Sequence, residues 1–223
     1  MKNIASTVIE EYLQIIYQFQ IRDETLKSMA LAECLDTSPS TVHATLQRMM
    51  RDSLIRMDDK KQIFLTEEGR KVAENIKFRH NLAEYFLCNT LGIPWYDVHV
   101  HAHRLEHAMT SLVTEKLAEF LGFPHACPHG SPMPEFRKDF LKDAETLDMA
   151  QENAEIKIVM IDEKLEESRD MLKHLHDKNM LPGVHYRIKE RSDVTHSMLL
   201  EASDHQVMIP FDLARSIWVT SVD

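Results

Sequence analysis

The chain has 223 residues, 43% hydrophobic and 28% charged, with a formal net charge of −10, enough apolar material for one large domain or two to three small ones. It has no uncharged apolar run near 18 residues and no signal-peptide pattern at its start, which excludes a membrane span and leads us to expect a cytoplasmic protein. Its three cysteines, Cys34, Cys88 and Cys127, are odd in number and scattered, which argues against a disulfide framework.

The acidity is uneven. Residues 138–223 carry 11 basic and 18 acidic side chains, whereas residues 37–72 carry 7 and 5. The sum therefore does not exclude nucleic-acid binding by the first part, although no strong basic footprint marks it.

Residues 4–20 place Val8, Tyr12, Ile15, Ile16 and Phe19 at helical spacing, an amphipathic first helix, with Glu10 and Glu11 beside the apolar stripe. On pattern alone those two are carboxylates favoured by the helix dipole. A second helix is expected over residues 25–35. Ser38 as N-cap and Pro39 at the first helical position then start a third helix, residues 40–52. Val42, Leu46 and Met49 or Met50 face inward; Ser40, His43, Ala44, Gln47, Arg48 and Arg51 face outward. Two helices, a tight polar turn and a helix with a polar, basic outer face read as a helix-turn-helix. Residues 54–57 and 62–65 flank Asp58-Asp59-Lys60-Lys61 as a hairpin. That makes the winged variant, in which Lys60 and Lys61 can reach phosphate. Thr66 then caps a long helix to about residue 91, carrying His80 and Glu84 four positions apart.

After the Gly92-Ile93-Pro94 break comes the densest chemistry. Seven of the 13 histidines lie between His80 and His129, and four fall in residues 97–109. Read as a helix, this stretch puts His99, His103, Glu106 and His107 on one face and turns His101 away. Imidazole and carboxylate projecting together from one helix suit a borderline divalent metal. Residues 123–134 hold four of the eight prolines and cannot be helical; within them Cys127 and His129 have the spacing of neighbouring ligands. Residues 135–155 read as a charged tether, and residues 155–223 as a small β-domain whose five short strands fit a barrel.

Taken together, Glu10-Glu11-Tyr12-Leu13, Ser38-Pro39-Ser40-Thr41-Val42, Leu65-Thr66-Glu67-Glu68-Gly69, Arg79-His80-Asn81-Leu82-Ala83-Glu84, Glu106-His107 and Cys127-Pro128-His129-Gly130 resemble the diphtheria-toxin-repressor family of metal-dependent regulators, including its manganese-type branch. The resemblance implies a mainly α chain with small β parts. Its domains would be a winged helix-turn-helix over 1–74, a helical metal-binding and dimerisation domain over 75–140, a tether over 141–154 and an SH3-like (FeoA-like) β-barrel over 155–223. It implies a homodimeric, non-enzymatic repressor of metal-uptake genes that binds double-stranded operator DNA and responds to Mn²⁺ or Fe²⁺. It implies a primary metal cluster of Glu11, His80, His103, Glu106 and His107. A second, loop-based site would use Glu84, Cys127, His129 and Asp162, so that two ions per subunit are possible. The iron-type alternative for that second site would use His80, Glu84 and His99 with side chains from the barrel. His103 stands where iron-type members have Cys and manganese-type members Glu, which leaves the metal open, Zn²⁺ and Co²⁺ included. Ser38, Pro39, Ser40, Thr41, His43, Ala44, Thr45, Arg48, Arg51, Lys60 and Lys61 would form the DNA-facing set. An organic effector in place of metal, and a metallohydrolase built on His99-x-His101-x-His103, are the competing readings; the second conflicts with a helical setting and only five glycines.

Overall fold

A computed structural model describes residues 6–166 and 168–222, with Leu141 described in its backbone only. Ile4 of the expected first helix and Glu167 lie outside the described residues. The chain divides into two compact units, one up to Arg79 and one from His80 onward.

The first unit opens with α1 (Thr7–Ile21), α2 (Ser28–Cys34) and α3 (Pro39–Arg51). Helix α2 is shorter than its apolar pattern because Lys27 is extended (φ −119°, ψ 163°) and caps it. The start of α3 follows the local chemistry: Ser38 Oγ accepts from Thr41 N at 3.2 Å, and Pro39 occupies the first turn. Strands β1 (Ile55–Met57) and β2 (Ile63–Leu65) pair antiparallel, Arg56 opposite Phe64. Asp58 Oδ1 closes their turn by accepting from Lys60 N and Gln62 N. Helix α4 (Glu67–Asn89) begins at Thr66, whose Oγ1 accepts from Gly69 N at 3.0 Å. Gly69 is required there, because a Cβ would stand 1.9 Å from the Leu54 carbonyl oxygen. Leu13, Ile16, Val42, Leu46, Met49 and Ile63 fill the core, each contributing about 1.5–3 kcal/mol by leaving water. The same interior holds an ion pair, Arg79 Nη2 to Glu10 Oε1 at 2.9 Å.

The second unit contains the rest of α4, then α5 (Val98–Glu106), α6 (Ser111–Phe120), α7 (Arg137–Asp143), α8 (Glu163–Glu166), α9 (Arg169–Asp177) and α10 (Phe211–Ala214). Its sheet is built from β3 (Glu145–Thr146), β4 (Glu155–Ile161), β5 (His185–Ser192), β6 (Ser197–Glu201), β7 (Gln206–Pro210) and β8 (Ile217–Ser221). The order is β3-β8-β4-β5-β6-β7 and every pairing is antiparallel. This corrects the expectation of a five-strand barrel. The sixth strand, β3, comes from the stretch read as a tether, and β3 and β7 are unjoined edges, so the sheet is open. Alternating burial along β4 and β7 places Ile156, Ile158, Val207 and Ile209 in a core with Leu172, Leu175 and Val219.

Two features of this unit position the site. Strand β4 is bulged between Ile158 and Met160, which leaves Val159 as the extra residue. The proline-rich loop lies against that bulge: Ile161 N donates to His129 O at 2.8 Å. Gly130 (φ +86°) has room only for a hydrogen, since a Cβ would meet the Val159 carbonyl oxygen at 2.0 Å. The loop is closed on itself by Cys127 N to Ser131 O and Gly130 N to Cys127 O, both 2.9 Å. No helix of the described residues is long and apolar enough to cross a membrane.

Candidate metal centre and nucleic-acid interface

The outer face of α3 is as the periodicity requires. Ser40, Thr41, His43, Ala44, Gln47, Arg48 and Arg51 are exposed, Thr45 is half-buried, and Val42, Leu46 and Met49 are buried. Ser38 Oγ also lies 2.8 Å from Ser40 Oγ and 2.9 Å from Thr41 Oγ1, so the start of the helix is held by hydroxyls. Arg48 Nη2 donates to Ser6 Oγ at 3.1 Å, a contact that side-chain periodicity does not reveal. Lys60 and Lys61 are exposed at the tip of the β1–β2 hairpin.

In the second unit the histidines and carboxylates converge. Helix α4 presents His80 and Glu84, both buried. The two His80 nitrogens serve different neighbours: Nδ1 lies 2.6 Å from Glu106 Oε2, and Nε2 lies 3.1 Å from Glu84 Oε1. Helix α5 ends at Glu106, with His107 as its cap. Glu106 Oε1 is 3.2 Å from His103 Nδ1 and 3.3 Å from His107 Nε2. His80, His103 and Glu106 are one group whose donor atoms lie within 4.8 Å of one another.

His99 departs from the single face expected of it. About one turn before His103, it meets Glu84 Oε1 at 3.1 Å and Glu166 Oε2 at 2.9 Å instead. From the loop, His129 is buried with Nδ1 3.3 Å from Glu84 Oε2, while its Nε2–H donates to Trp95 O at 3.0 Å. Trp95 in turn donates from Nε1 to Pro128 O at 2.9 Å, and its ring meets the His129 imidazole edge-on at 4.6 Å. The Asn81 amide holds the loop from α4 by donating to the carbonyls of Ser131 and Pro132. Two four-donor groups result: His80, Glu84, His99 and Glu166, and Glu84, Cys127, His129 and Glu166.

Asp162, expected as the fourth donor of the second site, is in neither group, and Glu166 stands there instead. Asp162 Oδ1 accepts from Lys164 N at 2.9 Å as the chain turns from β4 into α8. One helical turn later Glu166 is buried among the donors. The sequence signal was a carboxylate i+4 from a turn-forming Asp, but it names no partner without the sheet that places it. The two groups share Glu84 and Glu166; the first contains His80, Glu84 and His99 of the iron-type expectation, the second Glu84, Cys127 and His129 of the loop-based one.

Electrostatics follow the same lines. Burial pushes the Glu84 carboxyl up, but the charges and hydrogen bonds of His129 and His80 outweigh it and hold it well below the usual carboxylate range. Burial pulls the His99 imidazole down, yet its hydrogen bonds to Glu166 and Glu84, with their charges, lift it to about 10. His129 is raised for the same reason, Glu166 contributing the larger charge. The residues fit a divalent cation: imidazole, carboxylate and thiol converge, and the buried Glu166 oxygens face imidazole nitrogens, Oε2 at 2.9 Å from His99 Nδ1 and Oε1 at 3.5 Å from His129 Nδ1.

Comparison with known proteins agrees with this geometry. Residues 5–63 match the iron dependent repressor N-terminal DNA binding domain, 66–135 the iron dependent repressor metal binding and dimerisation domain, and 145–221 the FeoA domain. The iron-dependent repressor IdeR of Mycobacterium tuberculosis is 39% identical over 125 residues, 56% of this chain and 54% of that protein, so that match spans about half of its length. The diphtheria toxin repressor of Corynebacterium glutamicum is 30% identical over 234 residues, 100% of both chains. Among solved structures, a manganese-dependent transcriptional repressor in complex with manganese superposes with a TM-score of 0.83 at 26% identity, covering 96% of this chain and 100% of that one. The chain with bound Cd²⁺ named ScaR gives 0.81 at 25% identity, covering 96% and 99%. The chain belongs to the iron-dependent, or diphtheria toxin, repressor family.

Proposed function

We propose that this protein is a cytoplasmic, homodimeric transcriptional repressor that binds operator DNA when loaded with Mn²⁺ or Fe²⁺ and so controls metal uptake. The observation that carries the reading is the joining, in one chain, of an exposed α3 face behind a wing and a buried histidine–carboxylate cluster. Relatives named for iron and for manganese support both metals. Domains over 1–74, 75–140, 141–154 and 155–223 follow from the same reading.

His103, Glu106 and His107 would hold the activating ion together with Glu11 from α1, with His80 beside them through its bond to Glu106. Glu84, Glu166, Cys127, His129 and His99 would hold the second. The ion supplies a Lewis-acidic point charge that favours one arrangement of its ligands over others. Glu106 has a second task in the chain itself: by accepting from His80 Nδ1 it fixes the tautomer that leaves Nε2 aimed at Glu84. Ser40, His43, Ala44 and Arg48 would read the major groove, with Ala44 offering a methyl contact to thymine. Ser38, Pro39, Thr41, Thr45, Arg51, Lys60 and Lys61 would lie nearer the phosphates. Dimerisation is supported by exposed apolar residues of α6 and its flanks: Leu112 is 65% and Phe120 70% exposed. A two-fold pair would set two α3 helices about 34 Å apart, one DNA turn.

The test is a DNA-binding titration against promoter DNA of its own genome, run with Mn²⁺, Fe²⁺, Zn²⁺, Co²⁺ and EDTA. Metal is expected to tighten binding about 5–150-fold. Equal affinity with and without EDTA, or indifference to His103→Ala with His107→Ala, overturns the proposal.

A further inference from the structure

The two donor groups that share Glu84 and Glu166 divide the carboxylate oxygens between them. Glu84 Oε1 faces His80 Nε2 and His99 Nδ1, each at 3.1 Å, whereas Glu84 Oε2 faces His129 Nδ1 at 3.3 Å. Glu166 does the same in mirror sense: Oε2 lies 2.9 Å from His99 Nδ1, and Oε1 lies 3.5 Å from His129 Nδ1. Each carboxylate therefore offers one oxygen to each side. One side is completed by the His80 and His99 nitrogens, the other by the His129 nitrogen and the Cys127 sulfur.

We propose that this second centre holds two divalent cations bridged by Glu84 and Glu166, rather than one. The inference rests on the metal-dependent reading above and deepens it. A single ion on either side would leave the other imidazole or thiolate, and one oxygen of each bridging carboxylate, buried without a cation. The outer nitrogens are already engaged: His80 Nδ1 with Glu106 at 2.6 Å and His129 Nε2 with Trp95 O at 3.0 Å. Those bonds aim the remaining nitrogen of each ring at its own side. Glu84 is fully buried and Glu166 is 4% exposed, so both carboxylates are shielded from water. Carboxylate-bridged pairs of this kind stand about 3.5–4 Å apart. The sides differ in chemistry. Two imidazoles and two oxygens suit Mn²⁺ or Fe²⁺, and replacing one imidazole with thiolate moves the other side towards Co²⁺, Zn²⁺ or Fe²⁺.

The test uses the full-length protein titrated with Co²⁺ alone, its ions counted by native mass spectrometry and its spin measured by electron paramagnetic resonance. Three ions per protomer are expected, with a sulfur-to-cobalt absorption band and an integrated spin signal smaller than the bound cobalt accounts for. Cys127→Ala is expected to remove one ion and the band; His99→Ala to remove one ion and keep the band. His103→Ala with His107→Ala is expected to remove the remaining, uncoupled ion. Two ions per protomer in the wild type with no spin coupling would overturn the two-cation centre while leaving metal-dependent repression standing. Retention of no ion at all would sink both. Should a variant fail to fold, the wild-type stoichiometry and coupling decide the matter alone.

Discussion

Up to Arg79 the chain buries the Glu10 carboxylate against a guanidinium, Arg79 Nη2, at 2.9 Å. From His80 onward it buries Glu84, Glu106 and Glu166 and faces them with imidazoles and the Cys127 thiol. The first arrangement is electrically complete as it stands. The second is balanced by imidazole instead: burial pulls His99 and His129 down, and Glu166 and Glu84 raise them, His99 to about 10. A buried pair and a buried cluster thus differ in composition, the one a guanidinium against a carboxylate, the other imidazoles and a thiol around carboxylates.

Four measurements can break or sharpen that contrast. Arg79→Met leaves Glu10 buried without its partner and should cost about 3–5 kcal/mol. Urea unfolding should give the same loss with Mn²⁺ as with EDTA, and a loss that metal repairs would place this pair with the cluster. Leu46→Ala, in a fully dry position, should cost about 3 kcal/mol, again independent of metal. Glu166→Gln should behave oppositely. Wild-type protein at roughly 100 times Kd gains about 2.7 kcal/mol per site from bound metal; the variant should lose most of that gain for the second centre, read as a smaller metal-induced rise in Tm. The smallest effect belongs to Ser38→Ala, about 1 kcal/mol from the lost cap, visible in unfolding of the metal-free protein.

How far the sequence could be read follows the same division. The winged helix was legible because its signals are local: Ser38-Pro39 starts α3, Thr66 starts α4, and Asp58 closes the hairpin. His80, Glu84, Glu106, Cys127 and His129 were legible as candidate ligands because residue type and spacing carry the chemistry. The place of Glu166 was not, and that of His99 beside His80 and Glu84 came only from the family resemblance. The face of α5 divides because His99 meets Glu84 and Glu166 whereas Glu106 meets His80, and periodicity along one helix carries no information about its neighbours. Strand β3 has two residues, too few for any alternation, and only its pairing with β8 reveals it. Glu11 sits half-buried on α1, and its role as a ligand stands as a proposal.

The seating of the 126–132 loop on the β4 bulge has a practical consequence for anyone trimming this chain. A version ending at Asp143 would keep His80, Glu84, His99, Cys127 and His129, yet it would lack Glu166 and strip the His129 carbonyl of Ile161 N–H. Such a fragment would not be a smaller sensor of the same kind. Its loop would lose the surface that shapes it, and any ion it captured would report on a different coordination sphere.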